Sequence, residues 1–389
     1  MKNKLKITDA INMSAHSFFV SLADQSAAIF IVAILLARDF QLRQIMLFFM
    51  ITCGARVLIS GMHFFLIVMR SLNLISLPLG SMAMVIFYIY FSETPPGKSL
   101  TVLQCILMSI AMSSYVMAYD AMAATVATRG NSLARTTAFH SLSLLGVAVY
   151  PILGGMMAQH NTQLVFFSAA FFMTIAAFFA YQISRTVRMR MQVVEIGLEK
   201  SSLAKLSFGR GFCEGSLVCC FGTVWQAVMF GVVDGSFPRL GYLFAVVGVV
   251  STVTPLIMAW LIKIAGWRLS VSFYCAMGVN VSLLQFLFYK DLYGVLIVSL
   301  LGGVVGVAGN LLFYAKIYGA KGIEKSPAMY SALIEIGRGL GGSLACGIAA
   351  CLLWLGLDHS YLLIGTSFFV IGQTILIWPI RDLQPFPPK

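Results

Sequence analysis

The sequence predicts an all-α integral membrane protein in which twelve transmembrane helices form two six-helix halves. Of the 389 residues, 59% are hydrophobic and 10% are charged, and the mean hydropathy is +0.91. A soluble domain has about 45–50% apolar and about 25% charged residues. Apolar segments of about 20 residues, long enough to cross a bilayer as helices, recur along the chain. The long polar run at 185–205 separates two apolar halves of similar length.

The apolar segments define the boundaries of the predicted spans. The first six spans are predicted at 11–37, 43–69, 74–92, 101–127, 133–158 and 162–184, and the second six at 208–232, 239–262, 268–289, 292–316, 328–355 and 360–380. The segments lack the alternating pattern of transmembrane strands. We therefore expect an N-terminal bundle at 1–184, a cytoplasmic linker at 185–207 and a C-terminal bundle at 208–389.

The net charge of +12 has a distribution typical of membrane proteins. With the N-terminus inside, 19 of the 26 lysines and arginines fall on the inner side, five on the outer side and two within spans. This asymmetry follows the positive-inside rule and predicts that both termini are cytoplasmic, in a bacterial inner membrane. We expect no nucleic-acid partner, because basic residues are not interleaved with aromatic residues as in a single-strand groove.

Cysteines and loops give no indication of a cofactor, a metal site or ATP binding. The eight cysteines lie in apolar segments without metal-ligand spacing, so we interpret them as small buried hydrophobic residues. The loop GAKGIEKS at 319–326 has Glu324 where a phosphate-binding loop requires its second glycine. We expect no cofactor and no enzymatic activity, and an energy source in an ion gradient or a partner.

Charged residues in the first half are the strongest functional indicators, because a charge at the bilayer centre costs about 2.5–3.5 kcal/mol. Asp24 lies midway between Asp9 and Arg38, and Arg56 midway between Arg43 and Arg70. Asp24 could carry a proton or form a structural ion pair. Arg56 could bind a carboxylate or phosphate of a substrate, or neutralise Asp24 or Asp120. Asp120, in span 4, is a second candidate for proton coupling.

The second half supplies further candidates. Glu335 and Arg338 are three residues apart on span 11, so they could pair within the helix or act on substrate and protons. Glu214 is a further candidate for proton coupling, although Arg210 four residues earlier suggests a position at the inner surface. Polar side chains that could contact a substrate within the membrane are Gln226, Asn310 and Tyr314. Histidines 16, 63 and 140 are better explained as packing residues.

The chain resembles the major facilitator superfamily over essentially its whole length, with six spans, a basic loop and six more spans. Two local motifs carry the resemblance. After span 8 the family's loop signature is matched in part by Ala259, Leu261, Lys263, Gly266, Trp267 and Arg268, with lysine in place of aspartate and alanine in place of the first glycine. In span 5 the antiporter motif is matched in part by Gly146, Tyr150, Pro151, Gly154 and Gly155, with tyrosine in place of the glycine before proline.

The resemblance implies two pseudo-symmetric bundles around a central cavity, with Asp24, Arg56 and Asp120 facing one space. On this basis we expect a secondary active transporter that moves a small anionic or zwitterionic organic solute by alternating access. Protons are the expected coupling ion, and the lipid bilayer surrounds a monomer. Two alternatives stay open. One is a non-transporting sensor or assembly factor built on a transporter scaffold, and the other is an antiporter-type exporter of amphiphilic compounds.

Overall fold

The structure is a computed structural model that describes residues 7–68, 76–94, 101–127, 149–186, 201–319 and 327–378. We refer to 7–186 as the N-terminal part and to 201–378 as the C-terminal part. Most of the predicted linker at 185–207, and the beginning of predicted span 5, lie outside the described residues.

The N-terminal part consists of helices joined by short connections. Its elements are α1 (Ile7–Ser26), a 3₁₀ turn (Ala28–Phe30), α2 (Ile31–Ala37), α3 (Leu42–Val68), α4 (Ser76–Ser92), α5 (Val102–Ala127), α6 (Tyr150–His160) and α7 (Thr162–Thr186). The first predicted span is interrupted near its middle. Its α-helical ladder ends where the amide of Ala27 donates to the carbonyl of Ala23, and a 3₁₀ bond from Phe30 to Ala27 follows. Asp24 therefore lies next to a break in the helix.

The C-terminal part is also helical. Its elements are α8 (Ser201–Gly215), a π-helical segment (Ser216–Phe221), α9 (Gly222–Val232), α10 (Phe237–Phe288), α11 (Leu292–Gly319), α12 (Pro327–Trp354) and α13 (Ser360–Ile377). A straight helix as long as α10 would measure about 78 Å, at about 1.5 Å per residue. Gly266, with φ 80° and ψ 170°, interrupts α10 at the predicted boundary between spans 8 and 9. A side chain would be strained at this positive φ.

Length, composition and surface show a multi-pass integral membrane protein. Among the described residues, nine helical segments are long and apolar enough to cross a membrane, and α4 is a shorter apolar helix. Large apolar side chains cover the outside, such as Leu58, which is 76% exposed, and Trp260, which is 62% exposed. An apolar surface of this kind requires lipid as its solvent. The count of twelve spans and the division into two bundles stay predictions.

Small residues bring the N-terminal and C-terminal parts into close contact. Helix α6 packs on the first turns of α10, where a Cβ at Gly155 would lie 3.3 Å from the Cα of Gly241. Helix α3 packs on α12, where a Cβ at Gly54 would lie 3.6 Å from Ser343 Oγ and one at Gly339 would lie 2.8 Å from the carbonyl oxygen of Cys53. Such approaches allow helices to associate in lipid without a hydrophobic driving force.

In each part, one basic side chain forms hydrogen bonds at the ends of helices. Arg38 donates to the carbonyl of Thr94 at 2.8 Å and to Thr162 Oγ1 at 2.9 Å, which ties three connections together. Lys316 Nζ donates to the carbonyls of Leu376 and Trp378 at 2.9 and 2.8 Å. These carbonyls terminate α13, so the ammonium group satisfies acceptors that the helix leaves unpaired.

Candidate functional site

Six charged side chains form one buried cluster between the two parts, which we call the charge network. Its members are Arg56 on α3, Asp120 on α5, Arg210 and Glu214 on α8, and Glu335 and Arg338 on α12. Three guanidinium groups face three carboxylates, so the formal charge is zero when all are ionised. Their side chains are 0–7% exposed, except that of Glu214, which is 16% exposed.

Arg56 and Glu335 join the N-terminal part to the C-terminal part. The Nε and Nη2 atoms of Arg56 donate to Glu335 Oε2 at 2.8 and 2.5 Å. The two side chains are 6% and 0% exposed. A charge-assisted pair of this kind, removed from water, is strongly directional.

Arg338 is the centre of the network, because carboxylates from three helices surround it. Its Nη2 donates to both oxygens of Glu214, at 2.8 and 2.9 Å. Its Nη1 donates to Glu335 Oε1 within the same helix and lies 3.4 Å from Asp120 Oδ2. The contact with Asp120 is a second ion pair between the two parts. The predicted pair of Glu335 and Arg338 is thus present, and both residues have further partners.

Arg210 is the sixth member of the network and contacts Glu214. Its Nη2 lies 3.3 Å from Glu214 Oε2, and its guanidinium lies 5.5 Å from the centre of the Phe313 ring. The side chain is fully buried. The inner-side position expected for Arg210 and Glu214 stays a prediction. The sequence analysis did not name Arg210 as a site residue, although its position four residues before Glu214 on one helix was a signal for their ion pair.

Glycines on two helices position Glu214 opposite Arg338. A Cβ at Gly211 would lie 3.0 Å from the amide nitrogen of Arg338, and one at Gly215 would lie 2.7 Å from its Cα. In return, a Cβ at Gly337 would lie 2.9 Å from the amide nitrogen of Phe212. Glycines spaced by four on both α8 and α12 therefore let the backbones touch. The π-helical segment begins directly after Gly215, and such segments are frequent at functional sites.

Breaking this network without replacing a partner is costly. Removing one member of a buried ion pair costs about 3–5 kcal/mol because the other charge is left uncompensated. Exchange of one anion for another on the same guanidinium avoids this cost. The arrangement can therefore hold the two parts together, or exchange a protein carboxylate for a proton or an anionic ligand.

Asp24 is not bonded to any member of the charge network. It accepts a hydrogen bond from Tyr88 at 3.4 Å, and it forms no ion pair with any residue that the structure describes. The sequence offered Asp24 or Asp120 as the partner of Arg56, but Arg56 instead pairs with Glu335 on another helix. Packing of α3 against α12 decides this partner, and no spacing within the sequence encodes it. Asp120 contacts Arg338.

Among the remaining predicted residues, Gln226 is half-buried on α9 and Asn310 is exposed on α11. The side chain of Tyr314 lies outside the described residues, as does His140. His16 is buried, with Nδ1 2.8 Å from the carbonyl oxygen of Ala176, which agrees with a packing role.

Two cysteines lie beside the network, a feature that the sequence did not predict. Cys53 on α3 and Cys219 in the π-helical segment are buried free thiols. Their sulfur atoms would lie 2.7 and 3.2 Å from a Cβ at Gly342. They pack between α3, α12 and the π-helical segment, as small apolar residues would.

Comparison with known proteins relates the chain to transporters through its fold. No family model and no curated protein matches the sequence significantly. Two solved structures that resemble it are the human organic anion transporter MFSD10 (TETRAN) and a point mutant of the nucleoside transporter NupG. The first has a TM-score of 0.61 at 14% identity, over 95% of this chain and 99% of that chain. The second has a TM-score of 0.66 at 9% identity, over 95% and 98%.

At such low identity the likeness concerns the fold. It agrees with the resemblance found in the sequence, which rested on topology and partial motifs. The chain therefore shares its fold with these two solved structures over 95% of its length.

Proposed function

We propose that the protein is a secondary active transporter that moves a small polar organic solute across the membrane by alternating access. The observation that carries this proposal is the pair of buried ion contacts, Arg56–Glu335 and Arg338–Asp120, between the N-terminal and C-terminal parts. A purely structural scaffold gains little from such pairs, because the cost of burying charges can be as large as the attraction between them. Their presence between two parts favours a site that opens and closes.

Contacts near both ends of the molecule support the alternating part of the proposal. At the predicted outer end, near Arg239 in the sequence, Phe30 packs against Phe237 and Phe244 with ring centres 6.5 and 5.9 Å apart. At the predicted inner end, Phe64 packs against a cluster that includes Ala328 and Ala332. Access from one side requires one of these contacts to separate while the ion pairs in the middle rearrange.

The charge balance supports an anionic or zwitterionic solute coupled to protons. In this proposal Arg56 and Arg338 bind the solute, and polar contacts come from the residues Gln226, Asn310 and Tyr314. Because the network is neutral, an arriving anion adds one negative charge, and uptake of one proton offsets it. Candidate proton carriers are the carboxylates Asp24, Asp120, Glu214 and Glu335. The two similar structures are named for organic anions and for nucleosides, which are also small organic solutes.

A two-stage experiment tests the proposed function. Purified protein is screened for metabolites that raise its melting temperature, because a ligand that binds only the folded state stabilises it. Each metabolite that stabilises the protein is then assayed for uptake into proteoliposomes with and without a pH gradient. We expect accumulation that depends on the gradient. Ligands that stabilise the protein but are never transported would favour the sensor or assembly factor.

The exporter alternative differs from the main proposal in the direction of transport. Residues Pro151, Gly154 and Gly155, which resemble the antiporter motif, are buried on α6, and the Cβ contacts of Gly155 and Gly241 join α6 to α10. Helix packing explains these residues whether the protein imports or exports its solute. Comparison of right-side-out with inverted vesicles decides between uptake and export.

A further inference from the structure

We propose that the carboxylate of Glu214 occupies a subsite on Arg338 that receives the carboxylate of the transported solute. The solute is then a monocarboxylate or a zwitterion with one carboxylate. This inference rests on the proposed function and specifies the substrate class and the position of its anionic group.

The geometry on Arg338 is that of a ligand site. Both oxygens of Glu214 lie within 2.9 Å of Arg338 Nη2, so one donor group holds a whole carboxylate. Arg210 Nη2 lies 3.3 Å from Oε2 of the same carboxylate. Two guanidinium groups therefore converge on one carboxylate position, and the Phe313 ring lies beside Arg210. If Glu214 withdrew, both cations would attract an anion of the same size.

Among the three carboxylates of the network, Glu214 is the one that a solute can replace. Its side chain is 16% exposed, whereas Asp120 and Glu335 are 4% and 0% exposed. Glu335 bridges Arg56 and Arg338, so its departure would break the ion pair of Arg56 that joins the two parts. Glu214 and Arg338 both belong to the C-terminal part, so their bond can break without separating the two parts.

Charge balance selects the class of solute. When a solute carboxylate takes the place of Glu214 and Glu214 binds the proton proposed above, the network of six side chains stays neutral with the solute bound. A phosphate dianion at the same position would leave one negative charge uncompensated in a buried site, and a neutral solute would leave one positive charge uncompensated. The site therefore favours a single carboxylate over phosphate esters and neutral solutes.

Chemical rescue tests the subsite without knowledge of the natural solute. Glu214→Ala deletes a CH₂–COO⁻ unit, which has the size and charge of acetate. We expect acetate to raise the melting temperature of the purified variant by about 2 °C or more in a saturable manner, as a ligand of the folded state does. Acetamide, which has the same shape without the charge, should have no such effect at equal ionic strength. Acetate should not stabilise the wild-type protein in this way.

The double variant Glu214→Ala/Arg338→Gln is the control, and acetate should no longer stabilise it. Equal effects of acetate and acetamide on Glu214→Ala, or an undiminished acetate effect in the double variant, would overturn the proposal. If Glu214→Ala does not fold, Glu214→Ser decides, because serine also leaves the carboxylate position open. Failure of acetate to stabilise Glu214→Ser more than acetamide does would then overturn the proposal.

The outcomes separate this inference from the proposed function. Acetate rescue in a protein that transports nothing would support the anion subsite and contradict the transporter. Transport of neutral solutes alone, without an acetate effect, would support a transporter and contradict the subsite.

Discussion

Arg56 and Glu335 lie 279 residues apart in the sequence and form a doubly hydrogen-bonded ion pair in the buried centre of the protein. Through this pair α3 in the N-terminal part is joined to α12 in the C-terminal part. Glu335 also accepts from Arg338, which contacts Asp120 on α5. The pair is therefore part of a network in which each charged group stabilises the charges of its neighbours.

Removal of the Arg56 charge should destabilise the protein more than removal of an exposed charge. We expect Arg56→Gln to lower the free energy of unfolding by about 3 kcal/mol, the low end of the range for broken buried pairs, because Glu335 keeps Arg338. The matched control is Arg239→Gln. Arg239 also pairs with a carboxylate, that of Asp234 at 3.3 Å, but the two side chains are 67% and 84% exposed. This change should cost at most about 1 kcal/mol.

Thermal unfolding of both variants in the same detergent measures the difference. Adding Glu335→Gln to Arg56→Gln should cost less than the sum of the single changes, because the two residues are each other's ion-pair partners. Equal melting temperatures for Arg56→Gln and Arg239→Gln would contradict a stabilising inter-part pair.

Asp24→Asn should uncouple transport from the proton gradient. The amide has the shape of the carboxylate but cannot bind and release a proton, so accumulation driven by a pH gradient should be lost. Exchange of labelled for unlabelled solute should continue, since exchange needs no net proton movement. Tyr88→Phe is the control, because it removes only the hydrogen bond to Asp24 and keeps the carboxylate. Accumulation by Asp24→Asn at the wild-type rate would exclude Asp24 as the proton carrier.

Gly155→Ala should weaken the contact between the two parts at the predicted outer end. The added Cβ would lie 3.1 Å from the carbonyl carbon of Phe237 and 3.3 Å from the Cα of Gly241, so α6 and α10 have to move apart. We expect a melting temperature several degrees lower. Gly61→Ala on α3 is the matched control, because its Cβ meets no atom within 4 Å and alanine favours helix by about 1 kcal/mol. Similar melting temperatures for the two variants would argue against tight α6–α10 packing.

Lys316→Met should destabilise the C-terminal end of α13. The ammonium group of Lys316 satisfies two carbonyls there, and methionine fills a similar volume without donating. The expected loss is about 1–3 kcal/mol, the cost of leaving buried acceptors unpaired. Lys263→Met removes an exposed lysine from the same predicted side and should be close to neutral. Hydrogen exchange of the last turn of α13 distinguishes local loosening from global destabilisation, and unchanged protection there would contradict the capping role.

The sequence predicted the helices well where hydrophobic length alone determines them, as for α3, α7 and α13. It also predicted the interruption of α10, because the glycine at 266 and the charges around it mark a loop. The distance of Arg56 to charged residues at both ends of its span predicts a mid-depth position, and the structure shows that its side chain is buried.

The bonding of the site could not be predicted in the same way. The partner of Arg56 depends on which helices touch: the sequence suggested Asp24 or Asp120, and the structure pairs Arg56 with Glu335. Arg210 was not recognised as a site residue because a basic residue next to a polar run resembles an inner-side anchor. Only the contact of Gly211 and Gly215 with α12 brings that end of α8 into the core. Such information lies in the packing of helix surfaces and not in hydrophobicity.

The central claim is that the N-terminal and C-terminal parts alternate between two arrangements and that the charge network controls the change. The most direct measurement is the distance between two spin labels at the predicted outer end, one at Asn161 and one at Asp234, both exposed. Labels attached through unnatural amino acids avoid the eight native cysteines. In protein reconstituted in lipid, we expect two distances between the labels, one short and one long. The populations of the two should change with pH, and Arg56→Gln should increase the population with the long distance. A single distance, unchanged by pH and by Arg56→Gln, would contradict the account.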